Sequence, residues 1–134
     1  MSGDPRLDLI DTVQAVMAND RRIDGLVVIG GGAVGFRDDF SDVDLIAAVA
    51  AGLDPEAVGD ELARALRSSL PLYRYIQTPP ARARGIHVFL LESHLELDLS
   101  FVSTAELRAT TDRWRIVFDR AGQVARQIDR KSVV

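Results

Sequence analysis

Apolar positions change period along the chain in an ordered way. Leu7, Ile10, Val13, Val16 and Met17 recur at helical spacing, which predicts a first amphipathic helix over about Arg6 to Asn19, with "NDRRIDG" as the turn after it. Leu26 to Ile29 reads as a short buried strand, and Val43 to Val49 as a second one. "LDPEAVGDELARALRSSL" predicts a helix with Asp54 at its cap, Pro55 in its first turn and Glu56 favourable to its dipole. "YRYIQTPPARARG" reads as a loop around Pro79 and Pro80, and Ile86 to Leu91 with Leu95 to Val102 form a hairpin across "ESH". "STAE" at Ser103 to Glu106 has the pattern of a capping box and predicts another helix. Arg115 to Phe118 is a small strand and Ala121 to Arg130 a last helix. Helices and strands alternate without repeats, so the class is α/β, a mixed β-sheet flanked by helices.

Composition narrows what such a domain can do. The 134 residues suffice for one domain, and 47% hydrophobic content is that of a chain with a core of its own. A net charge of -4 lacks the basic footprint that phosphate contact leaves, so nucleic acid is not the expected partner and a cationic small substrate suits the field better. With no cysteine, thiolate metal sites are excluded and oxygen-ligated hard cations are favoured. No apolar stretch is long enough to span a bilayer, and the acidic start "MSGDPRLDLID" is unlike a signal peptide; the expected location is the cytoplasm.

The candidate chemistry lies in "VVIGGGAVGFRDDFSDVDLIAAV", Val27 to Val49. Gly30, Gly32 and Gly35 satisfy the dinucleotide-binding fingerprint, but a parallel crossover needs about a dozen or more residues between its strands, and "FRDDFS" leaves little room before Val43. A P-loop fails for want of its lysine, and a glycine turn with no ligand is the plain structural alternative. On a strand, residues two apart share a face, so Asp42 and Asp44 project together while Val43 and Leu45 face the core. Paired carboxylates beside a loop able to cradle phosphate are what metal-assisted phosphoryl transfer requires.

With these residues in view, the sequence resembles the polymerase-beta-like nucleotidyltransferases, and within them the small adenylyltransferases that modify antibiotics. That pattern is a glycine-serine pair, an alanine and a glycine shortly after, then S-D-x-D-L. Here Gly30, Gly31, Ala33 and Gly35 take the first positions and "SDVDL", Ser41 to Leu45, matches outright. Gly31 stands where the family has its phosphate-binding serine, which keeps a backbone donor and deletes a hydroxyl. The resemblance also implies a third carboxylate on a later strand, and "LDLSFV" supplies Asp98; it runs from about Leu9 to Gln127.

What it implies is a nucleotidyltransferase fold holding magnesium or manganese on Asp42, Asp44 and Asp98, with Asp98 also the base. Gly30 and Gly31 would cradle the phosphates of ATP, with Ser41 and Arg37 within reach of them. The implied reaction moves AMP to a hydroxyl of a small acceptor such as an aminoglycoside. A minimal enzyme of a toxin–antitoxin pair, or a noncatalytic nucleotide-binding domain, are the alternatives. Because antibiotic-modifying relatives usually carry a helical domain that walls the acceptor pocket, either a C-terminal domain or a second subunit is expected to cover the site, homodimerisation being the simplest case. Glu96 reads as a solvent-facing strand residue, His87 and His94 as strand or turn residues, and Asp119 receives no catalytic role. Tyr73, Arg74 and Tyr75 with Arg82 and Arg84 read as a surface loop.

Overall fold

The computed structural model describes residues 4–30, 42–78, 85–108 and 114–132, the last four without their side chains. In chain order the elements are α1 (Pro5–Ala18), β1 (Ile23–Ile29), β2 (Val43–Val49), α2 (Pro55–Ser69), β3 (Leu72–Thr78), β4 (Ile86–Leu91), β5 (Glu96–Ser103), β6 (Trp114–Asp119) and α3 (Gln123–Ser132). The strands form one six-stranded sheet in the order β3-β4-β5-β2-β1-β6. Only β2 and β5 pair in parallel; β1 pairs antiparallel with both β2 and β6, and β4 with both β3 and β5. An antiparallel β1–β2 connection is what the short spacing before Val43 demanded, and it rules out the dinucleotide-binding crossover.

Helix α2 begins as expected, Asp54 accepting from the Glu56 N–H at 3.0 Å with Pro55 in the first turn, and α1 begins the same way, Asp4 accepting from the Arg6 N–H at 2.9 Å with Pro5 in its first turn. Leu9, Ile10, Val13 and Met17 of α1 and Val58, Leu62, Ala63 and Leu66 of α2 pack on one sheet face, against Leu26, Val28, Leu45, Leu97 and Leu99. On the other face α3 lays Val124 and Ile128 over Val27 and Ala48. Gly25 lets it approach: a β-carbon there would lie 2.5 Å from Val124 and 2.7 Å from the Phe118 carbonyl oxygen. Asp119 fixes the start of α3 by accepting from the N–H groups of Val124 and Ala125. Arg120 ties this end to the chain start, donating to the carbonyls of Ala18, Asp20 and Ile23.

Three expectations are corrected. The first strand begins at Ile23, not Leu26, because Asp24 and Gly25 interrupt the apolar run without leaving the sheet. Residues 72–78 are the edge strand β3 instead of a loop; one face is exposed and the register shifts between Leu72 and Arg74, so simple alternation is lost. "STAE" gives one short 3-10 turn, Thr104–Glu106, with no side-chain cap bond from Ser103. Thr104, buried, instead bonds Asp24 at 2.7 Å and the Val49 carbonyl at 3.1 Å, so the segment is held by tertiary contacts. Pro79, Pro80, Arg82 and Arg84 lie outside the described residues.

Because the Phe118 carbonyl beneath α3 is backbone and cannot yield as a side chain can, Gly25→Ala is expected to lower stability by about 1–3 kcal/mol. Urea unfolding of the two proteins checks this.

Candidate active site

The parallel pairing of β2 with β5 places the acidic residues. Asp44 stands opposite Asp98, Val43 opposite Leu97 and Leu45 opposite Leu99. Val43, Leu45, Leu97 and Leu99 are buried under α1 and α2, so Asp44 and Asp98 must leave by the other face. Asp42, exposed at the entry to β2, and Glu96, half-buried at the start of β5, share that face by the same alternation. Carboxylate oxygens of Asp42, Glu96 and Asp98 lie within 4.8 Å of one another.

Glu96 is thus drawn into the cluster, where the sequence suggested only a solvent-facing residue. Its spacing of two from Asp98 was the available signal, since it puts both on one face.

Gly30 ends β1 beside this cluster. Its φ of +70° is left-handed, and a β-carbon there would lie 3.6 Å from Oδ2 of Asp44, so the backbone passes the carboxylate closely. Gly31, Arg37 and Ser41 lie outside the described residues. The histidines are elsewhere: His87 is buried on the α2 side of the sheet, its Nδ1 2.7 Å from the Tyr75 hydroxyl, and His94 occupies the β4–β5 turn with φ of 73°. A cavity of about 50 Å³ beside His87 and Phe101, and another of about 250 Å³ lined by Asp24, Thr104 and Arg126, contain none of the clustered carboxylates. Among the described residues the carboxylates stand instead on the sheet face, next to half-buried Val88 and Leu90 and exposed Ile76.

Crowding shows in their proton affinities. Desolvation first, then Glu96 and Asp44, push Asp98 up to about 8. Asp44 is also raised, chiefly by burial, although its hydrogen bond with Asp98 pulls the other way. Burial, Glu96 and Asp44 raise Asp42. Asp44 and Asp98, side by side and both shifted upward, therefore titrate together. Among the described residues no arginine or lysine is salt-bridged to any of these carboxylates, and Oδ1 of Asp98 is buried without an N–H or O–H donor. Such an orphaned oxygen among like charges suits a hard divalent cation, which binds oxygen and supplies the missing positive charge.

In a chelator, stability is expected to fall as pH rises from about 4 to about 8. Asp98 holds its proton in the folded chain across that window and loses it in the unfolded one, so the folded state is favoured at the acid end. The raised Asp42 and Asp44 act in the same direction. Thermal melting across this range checks it: Asp98→Asn should flatten the slope, and an equal slope in both proteins would contradict the assignment.

No protein-family model matches the sequence, and no curated protein matches it. Solved structures do. The non-canonical poly(A) polymerase complex GLD-2–GLD-3 aligns with a TM-score of 0.57 at 19% identity, over 72% of this chain and 33% of that one. Cid1, described for its RNA terminal uridylyl transferase activity, gives 0.60 at 16% identity, over 75% and 32%. An aminoglycoside 6-adenyltransferase from Bacillus subtilis gives 0.52 at 20% identity, over 73% and 35%. The chain thus spans about a third of the length of these neighbours. No helix among the described residues is long and apolar enough to cross a membrane. The mixed sheet, its flanking helices and these neighbours establish the architecture: the chain has the nucleotidyltransferase fold.

Proposed function

We propose that this domain transfers a nucleoside monophosphate, AMP from ATP, to a hydroxyl of a small acceptor such as an aminoglycoside. The observation that carries the reading is Asp44 and Asp98 side by side on parallel strands, with Asp42 on the same face and one Asp98 oxygen orphaned. Asp42, Asp44 and Asp98 are the residues that would hold magnesium or manganese, whose charge offsets that of the phosphates. Asp98 takes the proton of the acceptor hydroxyl. The acceptor oxygen then bonds to the α-phosphorus as that atom's bond to pyrophosphate breaks. Gly30 and Gly31 are assigned to the triphosphate by the sequence resemblance, and Ser41 and Arg37 by their places in the segment that follows.

The surroundings favour a cationic acceptor. Asp42, Asp44 and Glu96 flank Asp98 on one side and the aliphatic Val88, Leu90 and Ile76 on the other. Such a surface attracts amines to the carboxylate charge that the ion does not take up. A second reading, transfer to an RNA end, is favoured by neighbours described as poly(A) and poly(U) polymerases. Against it, Arg74, opposite Leu90 on the sheet edge, is the one cation among the described residues of that half-face. An open face orients an acceptor poorly, so a further domain or a second copy of the chain is expected to close it.

Incubation with α-labelled nucleoside triphosphates, a divalent ion and either pooled aminoglycosides or short RNA tests the reading. Label is expected on the antibiotic, with ATP preferred, and Asp98→Asn should lower the rate by roughly 10²–10⁴-fold, the usual worth of a positioned base. Label on RNA alone would replace the acceptor class; no label on either would remove the proposal. Gly31→Ser, which returns the hydroxyl of the resembling family, is expected to tighten ATP binding by about 0.5–1.5 kcal/mol in calorimetry.

A further inference from the structure

We propose that Glu96 is an additional ligand of the divalent-ion site, so that Asp42, Glu96 and Asp98 together bind a cation before any nucleotide arrives. The inference rests on the assignment of Asp42, Asp44 and Asp98 to metal under the transfer reading. It goes beyond that reading because the chemistry already has its carboxylates without Glu96.

Geometry is the first support. Glu96 opens β5 directly after the hairpin turn and pairs with Leu90, while Asp98 pairs with Val88, so the two acids occupy successive same-face positions. The parallel register to β2 brings Asp42 to them from the neighbouring strand. Oxygens ligating one hard cation lie about 2.0–2.6 Å from it, so two such oxygens are separated by at most about 4–5 Å. The Asp42, Glu96 and Asp98 oxygens fall within 4.8 Å of one another, so side-chain rotation of about 1 Å or less brings them to that spacing around a magnesium-sized ion with no movement of the strands.

Charge is the second. The ion pairs among the described residues join Arg6 to Asp4 and Arg22 to Asp20 and Glu61, all away from this face. Nothing described there neutralises Glu96 and the three aspartates, yet the fold brings them together and leaves an Asp98 oxygen buried without a donor. A magnesium site normally uses one or two carboxylates and completes its shell with water and substrate phosphates. Here the extra carboxylate takes over part of the phosphates' share. Binding without nucleotide follows, and manganese should bind more tightly than magnesium, as it generally does at oxygen and nitrogen sites.

The test is a titration of nucleotide-free protein with Mn²⁺, following the free ion by electron paramagnetic resonance. The parent is expected to bind Mn²⁺ without ATP, and Glu96→Gln to bind it about tenfold more weakly or worse, at least the effect of losing a second-layer partner of a metal ligand. Glu106→Gln, which removes the same charge from an exposed residue at the other end of β5, should stay within about twofold of the parent. Melting without metal guards against misfolding: Glu96→Gln should be no less stable than the parent, since it relieves repulsion, while added Mn²⁺ should stabilise it less. Equal Mn²⁺ affinity in parent and Glu96→Gln, or parent binding that appears only with ATP, overturns the role of Glu96 and leaves the transfer reading standing. No Mn²⁺ binding with or without ATP removes the metal assignment on which both rest.

Discussion

Asp44 and Asp98 are forced together by apolar burial on the opposite side of the same two strands. Val43, Leu45, Leu97 and Leu99 alternate with them and are sealed under α1 and α2. A shift of one residue in either strand would expose that core, so the register is specified strongly. The like-charge contact is therefore sustained by hydrophobic packing. Burying a Val or Leu side chain is worth about 1.5–3 kcal/mol, and several such residues act here at once. Repulsion between carboxylates is a cost this packing can hold.

Division of labour between the sheet faces follows from that constraint. One face is the scaffold, covered by two helices. The other is shared: α3 closes it over β1 and β6, while among the described residues no helix covers the part formed by β3, β4 and β5 beside the acids. Val88 and Ile76 continue the row that begins with Asp44 and Asp98, so the transition from charged to apolar surface runs across the strands in a single line. A molecule laid along that line would meet charge at one end and aliphatic surface behind it.

How much of this was readable beforehand depends on where each residue's partners lie. The α2 helix was legible because its cap, its first-turn proline and its apolar stripe are all local. The β2 strand and the shared face of Asp42 and Asp44 were legible because alternation is local too. β3 was missed because an edge strand with a register shift shows little alternation, and its membership is decided by β4. The helix expected at "STAE" gave way because Thr104 finds Asp24 and the Val49 carbonyl, partners remote in sequence. Glu96 was legible as a same-face neighbour of Asp98 but not as a neighbour of Asp42, since nothing in the sequence states that β5 pairs with β2.

The position of β1 has a consequence for how the chain acquires its structure. It lies between β2, its next neighbour in sequence, and β6, which is made some 90 residues later. Until β6 docks, one edge of β1 offers unpaired N–H and C=O groups, with Val27 and Ile29 beside them. The carbonyls of Ala18, Asp20 and Ile23 likewise wait for Arg120. During synthesis the growing chain thus carries a sticky apolar edge until Trp114–Asp119 has been made, when β6, Arg120 and α3 can come into place together. Fragments that stop short of Trp114 should aggregate where the whole domain does not.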